Sequence, residues 1–464
     1  MGVRLFITGS CSSALGNWEH QLGNAAILIG LLKGIHKYLP DATVVTKYQL
    51  SKTFCQTYGI QSLLLEPEKG ARFRRAIITF SNLFLAGAWR FCHEVLRIDI
   101  KFLRSTRLLN AYRTSDLIID LSGDTYGDNI SFTNFIKHSL DLLTARLVGK
   151  AVVSLANSPG PFSGWIKKSV ARVVFNKVAL ITTREPVSAD LLRKLGIKTP
   201  IITTACPAFL LEPAQDSRVG EIMRSEGIDS NSRPIIGITL SGYNLYSKPT
   251  WDLPESLEDL ELYVPTVRFL LDELDAQVLL IPHVYRTNPW TGQMIQGPDY
   301  VILKTLSQMV SRCSKNNKLK LIEGTYSPAE VKGLIGKLDL LISGRLHAGV
   351  AALSQCVPTV LLAYGHKHFG FMRMLNLERY VWQPAMGPDG LLAIVRLVWQ
   401  ERERVASELH KWVPLVKECA ELNVKILQDI LRLDQKERIR LPEPVVNRWK
   451  SLGWEDRRLA SIGQ

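Results

Sequence analysis

The chain has 464 residues, of which 46% are hydrophobic and 22% charged, with a formal net charge of +14. The length predicts two domains of roughly 200 residues rather than one core, and the positive balance favours anionic partners. Nucleic acid is set aside as a partner, because no zinc-ligand spacing, RNP-type aromatic motif or basic tail is present. The seven scattered cysteines form no CxxC pair and read as reduced thiols of a cytoplasmic protein, not a disulfide framework. No uncharged apolar stretch reaches the roughly 20 residues needed to span a bilayer, and residues 2–9 read as a first strand and turn, not a signal peptide.

In chain order, apolar runs predict strands over 3–8, 42–45, 117–121, 151–155 and 179–182. Helical patterns fall over 23–38, 165–176 and 187–195. A polar stretch over 212–234 precedes a second series, with strands over 235–240, 277–282, 319–323, 338–342 and 359–363. Ser327-Pro328-Ala329-Glu330 is a capping-box start for one of the helices between them. Strand–helix alternation of this kind predicts α/β architecture: two Rossmann-like, doubly wound domains with ligands gathered at the carboxyl ends of the strands. The expected division is 1–212, 213–400, and a C-terminal helix and tail over 401–464 that packs back on the body. Leu441-Pro442-Glu443-Pro444 is expected to end the helical part of that tail, with Trp449 and Trp454 buried beyond it.

Residues 71–113 stand apart. They hold nine arginines and lysines against Glu94 and Asp99, interleaved with Phe73, Ile77, Phe80, Phe84, Trp89 and Phe91. Two readings stay open: a helix that packs its apolar face on a sheet, or an interfacial helix on an anionic membrane surface.

The candidate chemistry lies at strand ends. Ser343-Gly344-Arg345-Leu346-His347-Ala348 turns from a predicted strand into a helix, where free backbone N–H groups and the helix dipole favour an anion. From 342 to 377 there is no acidic residue, while Arg345, His347, His366, Lys367, His368 and Arg373 all fall inside. Arg184, in Thr183-Arg184-Glu185-Pro186, ends another strand and suits bidentate recognition of carboxylate or phosphate, or a pairing with Glu185. His283 ends the strand over 277–282. The loop Ser122-Gly123-Asp124-Thr125-Tyr126-Gly127-Asp128-Asn129 offers two carboxylates for sugar hydroxyls or as a general base, and is equally a turn that bonds its own backbone. Asn157-Ser158-Pro159-Gly160-Pro161-Phe162 reads as a shape-setting loop. His366 and His368 alternate, but no acid or cysteine is spaced to complete a metal site with them.

Taken in order, these pieces resemble the polysaccharide pyruvyl transferase family. The carrying motifs are Gly23-Asn24-Ala25-Ala26, Gly123-Asp124, Pro159-Gly160-Pro161-Phe162, Thr183-Arg184-Glu185-Pro186-Val187-Ser188, Leu280-Ile281-Pro282-His283 and Arg345-Leu346-His347-Ala348 with Val357-Pro358. The resemblance implies a GT-B-like fold and an enzyme; the reduced thiols place it in the cytoplasm, and residues 71–113 leave open a peripheral position on the inner face of the plasma membrane. The resemblance implies transfer of the pyruvyl unit of phosphoenolpyruvate to a sugar of a cell-surface polysaccharide or its lipid-linked precursor, as a ketal, with phosphate released. It also implies that Arg184, Arg345 and His347 hold the donor, with Lys367 and His283 beside them, and needs neither metal nor cofactor. On this reading His347 is the proton donor, with Arg345 beside it in catalysis. Asp124 is the base for the acceptor hydroxyl, and Asp128, Asn129 and Asn24 contact the acceptor. Two departures bear on the acceptor: Cys206 precedes Pro207-Ala208-Phe209 where the family commonly has Asp, and the loop over 9–22 is longer than a short turn. The alternatives are a glycosyltransferase using a nucleotide sugar and a non-catalytic, membrane-associated scaffold.

Overall fold

The computed structural model describes residues 2–9, 17–64, 71–229, 233–246, 250, 253–313 and 317–462, without the side chains of 64, 71–76, 312, 313 and 462. Most of the first loop, residues 10–16, therefore lies outside the described residues. The chain divides into two compact units. The first comprises Met1–Trp18, Leu31–Cys206 and Glu418–Gln464, and the second Glu19–Gly30 and Pro207–Lys417.

The first unit is built on seven parallel strands: β1 (Arg4–Thr8), β2 (Thr43–Gln49), β3 (Ile60–Leu64), β4 (Leu117–Asp120), β5 (Val152–Asn157), β6 (Leu180–Thr183) and β7 (Ile201–Thr203). Their spatial order is β3-β2-β1-β4-β5-β6-β7. Thr8 lies opposite Asp120 across the β1–β4 pair, where the winding reverses. The second unit has β8 (Ile235–Thr239), β9 (Gln277–Leu280), an antiparallel hairpin β10 (Tyr285–Thr287) and β11 (Met294–Gln296), then β12 (Leu319–Leu321), β13 (Leu340–Ser343), β14 (Thr359–Leu362) and β15 (Val381–Trp382). Its main sheet runs β12-β9-β8-β13-β14-β15, again all parallel, with the reversal between β8 and β13. Central strands such as Leu117–Asp120 and Thr359–Leu362 are buried along their whole length, as a sheet covered on both faces requires.

The two doubly wound sheets are those expected from the alternation. The strands not anticipated, β3, β7 and β15 with the hairpin, are short or carry polar residues such as Gln61 and Ser62. The C-terminal region departs in detail. The helix Arg402–Arg432 is followed by a short helix Gln435–Ile439, and Pro444 then sits in the first turn of a new helix, Glu443–Leu452. Trp449 and Trp454 are fully buried, and Trp449 donates its indole N–H to Asp429 at 2.9 Å.

Asn423 ties this region to the strand ends of the first unit. Its Oδ1 accepts from the hydroxyls of Thr182 (2.8 Å) and Thr204 (2.9 Å), and its Nδ2 donates to the Ala205 carbonyl at 2.9 Å. All of these groups are buried. Asn423→Ala strands several of them without partners, so a loss of about 2–4 kcal/mol is expected. A urea midpoint equal to that of the parent would refute that role.

Candidate functional site

The β13 corner of the second unit is shaped by a glycine. A Cβ at Gly344 would lie 2.2 Å from Asn244 Oδ1 and 2.8 Å from the Thr239 carbonyl, so no other residue lets the turn after β8 pack this closely. Arg345 follows in extended conformation as N-cap of the helix Leu346–Leu353, beside the β8–β13 reversal.

Its guanidinium is held along one edge by a single carboxylate. Nε donates to Asp299 Oδ2 at 2.9 Å, and Nη2 donates to Asp299 Oδ1. Asp299 is fully buried in the first turn of the helix Pro298–Cys313 and also accepts the backbone N–H of His283 at 3.2 Å. Burial works against the charge on Arg345, yet the carboxylate outweighs it and raises the guanidinium's pKa. The acid-free stretch 342–377 thus receives a carboxylate from elsewhere in the chain. Such a bidentate pair fixes the direction of the guanidinium and leaves its remaining N–H groups as oriented donors. Sequence reasoning missed Asp299, whose only signal was its place in a helix's first turn.

His347 is half-buried at the second position of the helix Leu346–Leu353. Its ring rests on Gly23, where a Cβ would come within 2.5 Å of Nδ1. The Gly23-Asn24 motif therefore provides a bare backbone surface for this histidine. Asn24 itself donates to Gln21 Oε1 at 2.9 Å. A small pocket joins His347 to His283, walled by Leu22, Ala26, Ala351 and the buried Lys332. Lys332 lies in the helix Pro328–Ile335, and no motif in the sequence singled it out. Burial, with Arg345 nearby, lowers the His283 pKa to about 3, so this histidine is neutral at physiological pH. Lys367 is buried with its Nζ 4.7 Å from the centroid of the Tyr364 ring, which stacks on Tyr243 at 4.8 Å. His368 packs edge-on against the same ring. Among the described residues, no group of three or more histidines, cysteines or acids is placed to hold a metal.

In the first unit the strand-end polar groups form one network. Asp120, at the end of β4, accepts from Ser122, Tyr126 (3.3 Å), Ser154 (3.2 Å) and Asn157 (2.9 Å). Burial pushes its carboxyl up to about 6 against the pull of those donors. Asn157 Oδ1 in turn accepts the Gly123 N–H at 2.7 Å, holding Gly123 at a φ of 69°. A Cβ there would be 3.9 Å from both terminal nitrogens of Arg184, which is itself buried and donates to Ser158 at 2.8 Å. Glu185 caps the following helix by accepting from the Ser188 N–H. Asp124 is half-buried on the loop after β4, and Asn129 is exposed. Asp128 accepts the Ser163 N–H at 2.7 Å and pairs with Lys167 at 3.4 Å, so its carboxylate clamps two loops. Asp120, not singled out from sequence, organises this region.

A sequence profile of the polysaccharide pyruvyl transferase family matches residues 22–366. The chain belongs to that family. The amylovoran biosynthesis protein AmsJ of Erwinia amylovora is 24% identical over 422 residues, covering 88% of this chain and 96% of that protein. Among solved structures, Anabaena HepE in complex with UDP and glucose is similar at a TM-score of 0.53 and 14% identity, over 93% of this chain and 100% of that one. S. aureus MnaA with UDP reaches 0.57 at 13% identity, over 94% and 98%. At such identities the likeness is one of fold, and it agrees with two Rossmann-like domains of GT-B type. Membership in the family makes the chain a transferase with a polysaccharide-modifying role.

The buried histidines of the second unit make stability pH-dependent. The pKa of His20 is lowered to about 4, chiefly by burial, and that of His283 to about 3, both below the unfolded value of 6.5. Their contribution is complete above pH 6.5 and is lost as pH falls toward those lower values, by about 1 kcal/mol per pH unit for each histidine. His283→Asn should flatten the fall in thermal midpoint between pH 7 and 4.5. An unchanged slope would contradict the assignment.

Proposed function

We propose that the chain transfers the pyruvyl group of phosphoenolpyruvate to two hydroxyls of a sugar in a cell-surface polysaccharide or its precursor. The observation that carries this reading is the paired Arg345 beside His347, at a helix N-terminus on the β8–β13 reversal. Phosphoenolpyruvate presents a phosphate and a carboxylate, and an oriented guanidinium with free helix N–H groups suits such a small double anion.

In the proposed reaction, a proton adds to the methylene carbon of the donor and cationic character develops at the neighbouring carbon. A sugar hydroxyl attacks that carbon. A second hydroxyl then replaces the phosphate with cleavage of the C–O bond, giving a ketal with a methyl group and a carboxylate. Of the two hydroxyl protons, one balances that delivered to carbon and the other leaves on phosphate. His347 is the proposed proton donor. His283 is unsuited to the task, because burial keeps it neutral, and it serves to shape the pocket. Arg345 stabilises the departing phosphate.

Arg345→Ala should lower acceptor-dependent phosphate release by at least about 100-fold, the scale on which a preorganised donor to a developing charge acts. Because it also strands the Asp299 carboxylate, Arg345→Lys serves as the folded control and should lose nearly as much. Phosphoenolpyruvate should raise the thermal midpoint of the parent protein. Full turnover in either variant, or stabilisation by nucleotide sugars and not by phosphoenolpyruvate, would reject the reading.

Gly23→Ala places a methyl group against the His347 ring. It should lower kcat at least tenfold, about 1.4 kcal/mol in the barrier, while phosphoenolpyruvate still shifts the thermal midpoint. Unaltered kcat would remove His347 from the chemistry.

A further inference from the structure

The helix Ala71–Glu94 of the first unit is inside out. Its buried positions include Thr79, Asn82 and Ala86, while Ile77, Phe80, Phe84 and Phe91 face solvent. The inward polar groups are accommodated: Asn82 Oδ1 accepts the Thr106 hydroxyl at 2.7 Å, and Ala86 joins the core with Leu142 and Ala145. The outward face continues past the helix through Val95, Leu96, Ile98 and Phe102, all exposed. Phe84 is 74% exposed and Phe102 77%, unusual for phenylalanines on adjoining elements. A helix that only covered its sheet would turn these rings inward.

Charge identifies what covers this face. Both acids of the segment are engaged locally, Glu94 with Arg90 and Asp99 with Arg104. Arg97 and Lys101 alternate in sequence with the exposed Leu96, Ile98 and Phe102, and Arg107 follows. None of these three makes an ion pair within 4 Å among the described residues, although Lys101 lies near enough to Asp99 to favour its charge, and all three are exposed. A second copy of the chain would bring nine basic residues against nine over 71–113, with two acids on each side to relieve them. A surface that is apolar beneath and anionic above matches both components. No helix among the described residues is long and apolar enough to cross a membrane, so the contact lies in the interfacial plane.

We propose that the exposed apolar and basic face formed by residues 77–107 docks the protein on an anionic lipid bilayer, with Phe84 and Phe102 inserted at the headgroup boundary and Arg97, Lys101 and Arg107 against the lipid charge. An amphipathic surface of this kind binds by apolar insertion combined with electrostatic attraction, each basic residue contributing about 1 kcal/mol near the surface, or roughly fivefold in affinity.

The test is co-sedimentation of the full chain with vesicles of phosphatidylcholine alone and of phosphatidylcholine with 30% phosphatidylglycerol, the latter figure being about the anionic content that gives a sizeable surface potential. Binding at least tenfold tighter to the anionic vesicles, weakened by 0.5 M salt, is expected. Phe84→Ser with Phe102→Ser, and separately Arg97→Glu with Lys101→Glu, should each reduce binding at least tenfold. Both double variants should keep the parent thermal midpoint and its shift by phosphoenolpyruvate, because the substituted side chains are exposed. Equal binding to both vesicle types, parent-like binding by both folded variants, or a phenylalanine-dependent dimer in light scattering without vesicle binding would overturn the proposal.

Discussion

A carboxylate removed from water, Asp299, directs the guanidinium on which the candidate donor site depends. The pair spans two elements, the N-terminal turn of the helix Pro298–Cys313 and the N-cap of the helix Leu346–Leu353. It also reaches a third, through the backbone of His283 after β9. Removing one member of a buried pair costs about 3–5 kcal/mol because the other is left charged and unsolvated. The corner is therefore rigid for an electrostatic reason, and its net charge is lower than the sequence suggests. What it offers a ligand is direction more than excess charge.

The first unit reaches rigidity by a different route. Asp120 satisfies four side-chain donors, and the bonds pass through Asn157 to Gly123, whose backbone lies beside Arg184. A fully satisfied polar network in a low-dielectric interior holds its members in one arrangement. Two sheets of the same winding thus present arginines at their strand ends with different support: a salt bridge beneath Arg345, and a hydrogen-bond network built on Asp120 beside Arg184.

Much of the fold was legible because burial on both faces leaves continuous apolar runs, as in Leu117–Asp120 and Thr359–Leu362. Strands β3, β7 and β15 were not, since they are short or, as at Gln61 and Ser62, carry polar residues. At the site, Arg345, His347, Arg184 and His283 were visible because turns with glycine or proline flank them. Asp299, Lys332 and Asp120 were hidden. Each lies in or beside an ordinary helix or strand pattern, and each matters through a neighbour far away in sequence. Asp124 and Asp128 drew notice as loop carboxylates, yet Asp128 is committed to Ser163 and Lys167. Spacing reveals which side chains share a loop; it says little about which of them already have partners.

The division of the chain bears on how it is made. The first unit begins with β1 near the start of the sequence, yet it includes Asn423, Trp449 and Trp454, near its end. The seven-stranded sheet is therefore complete as a set of strands once Thr203 has been synthesised, but the hydroxyls of Thr182 and Thr204 wait for Asn423. During synthesis the larger part of the second unit, Pro207–Lys417, emerges in between, after its Glu19–Gly30 segment has already been made. The first unit can therefore close its core around Thr182 and Thr204 only after residues 207–417 have been made.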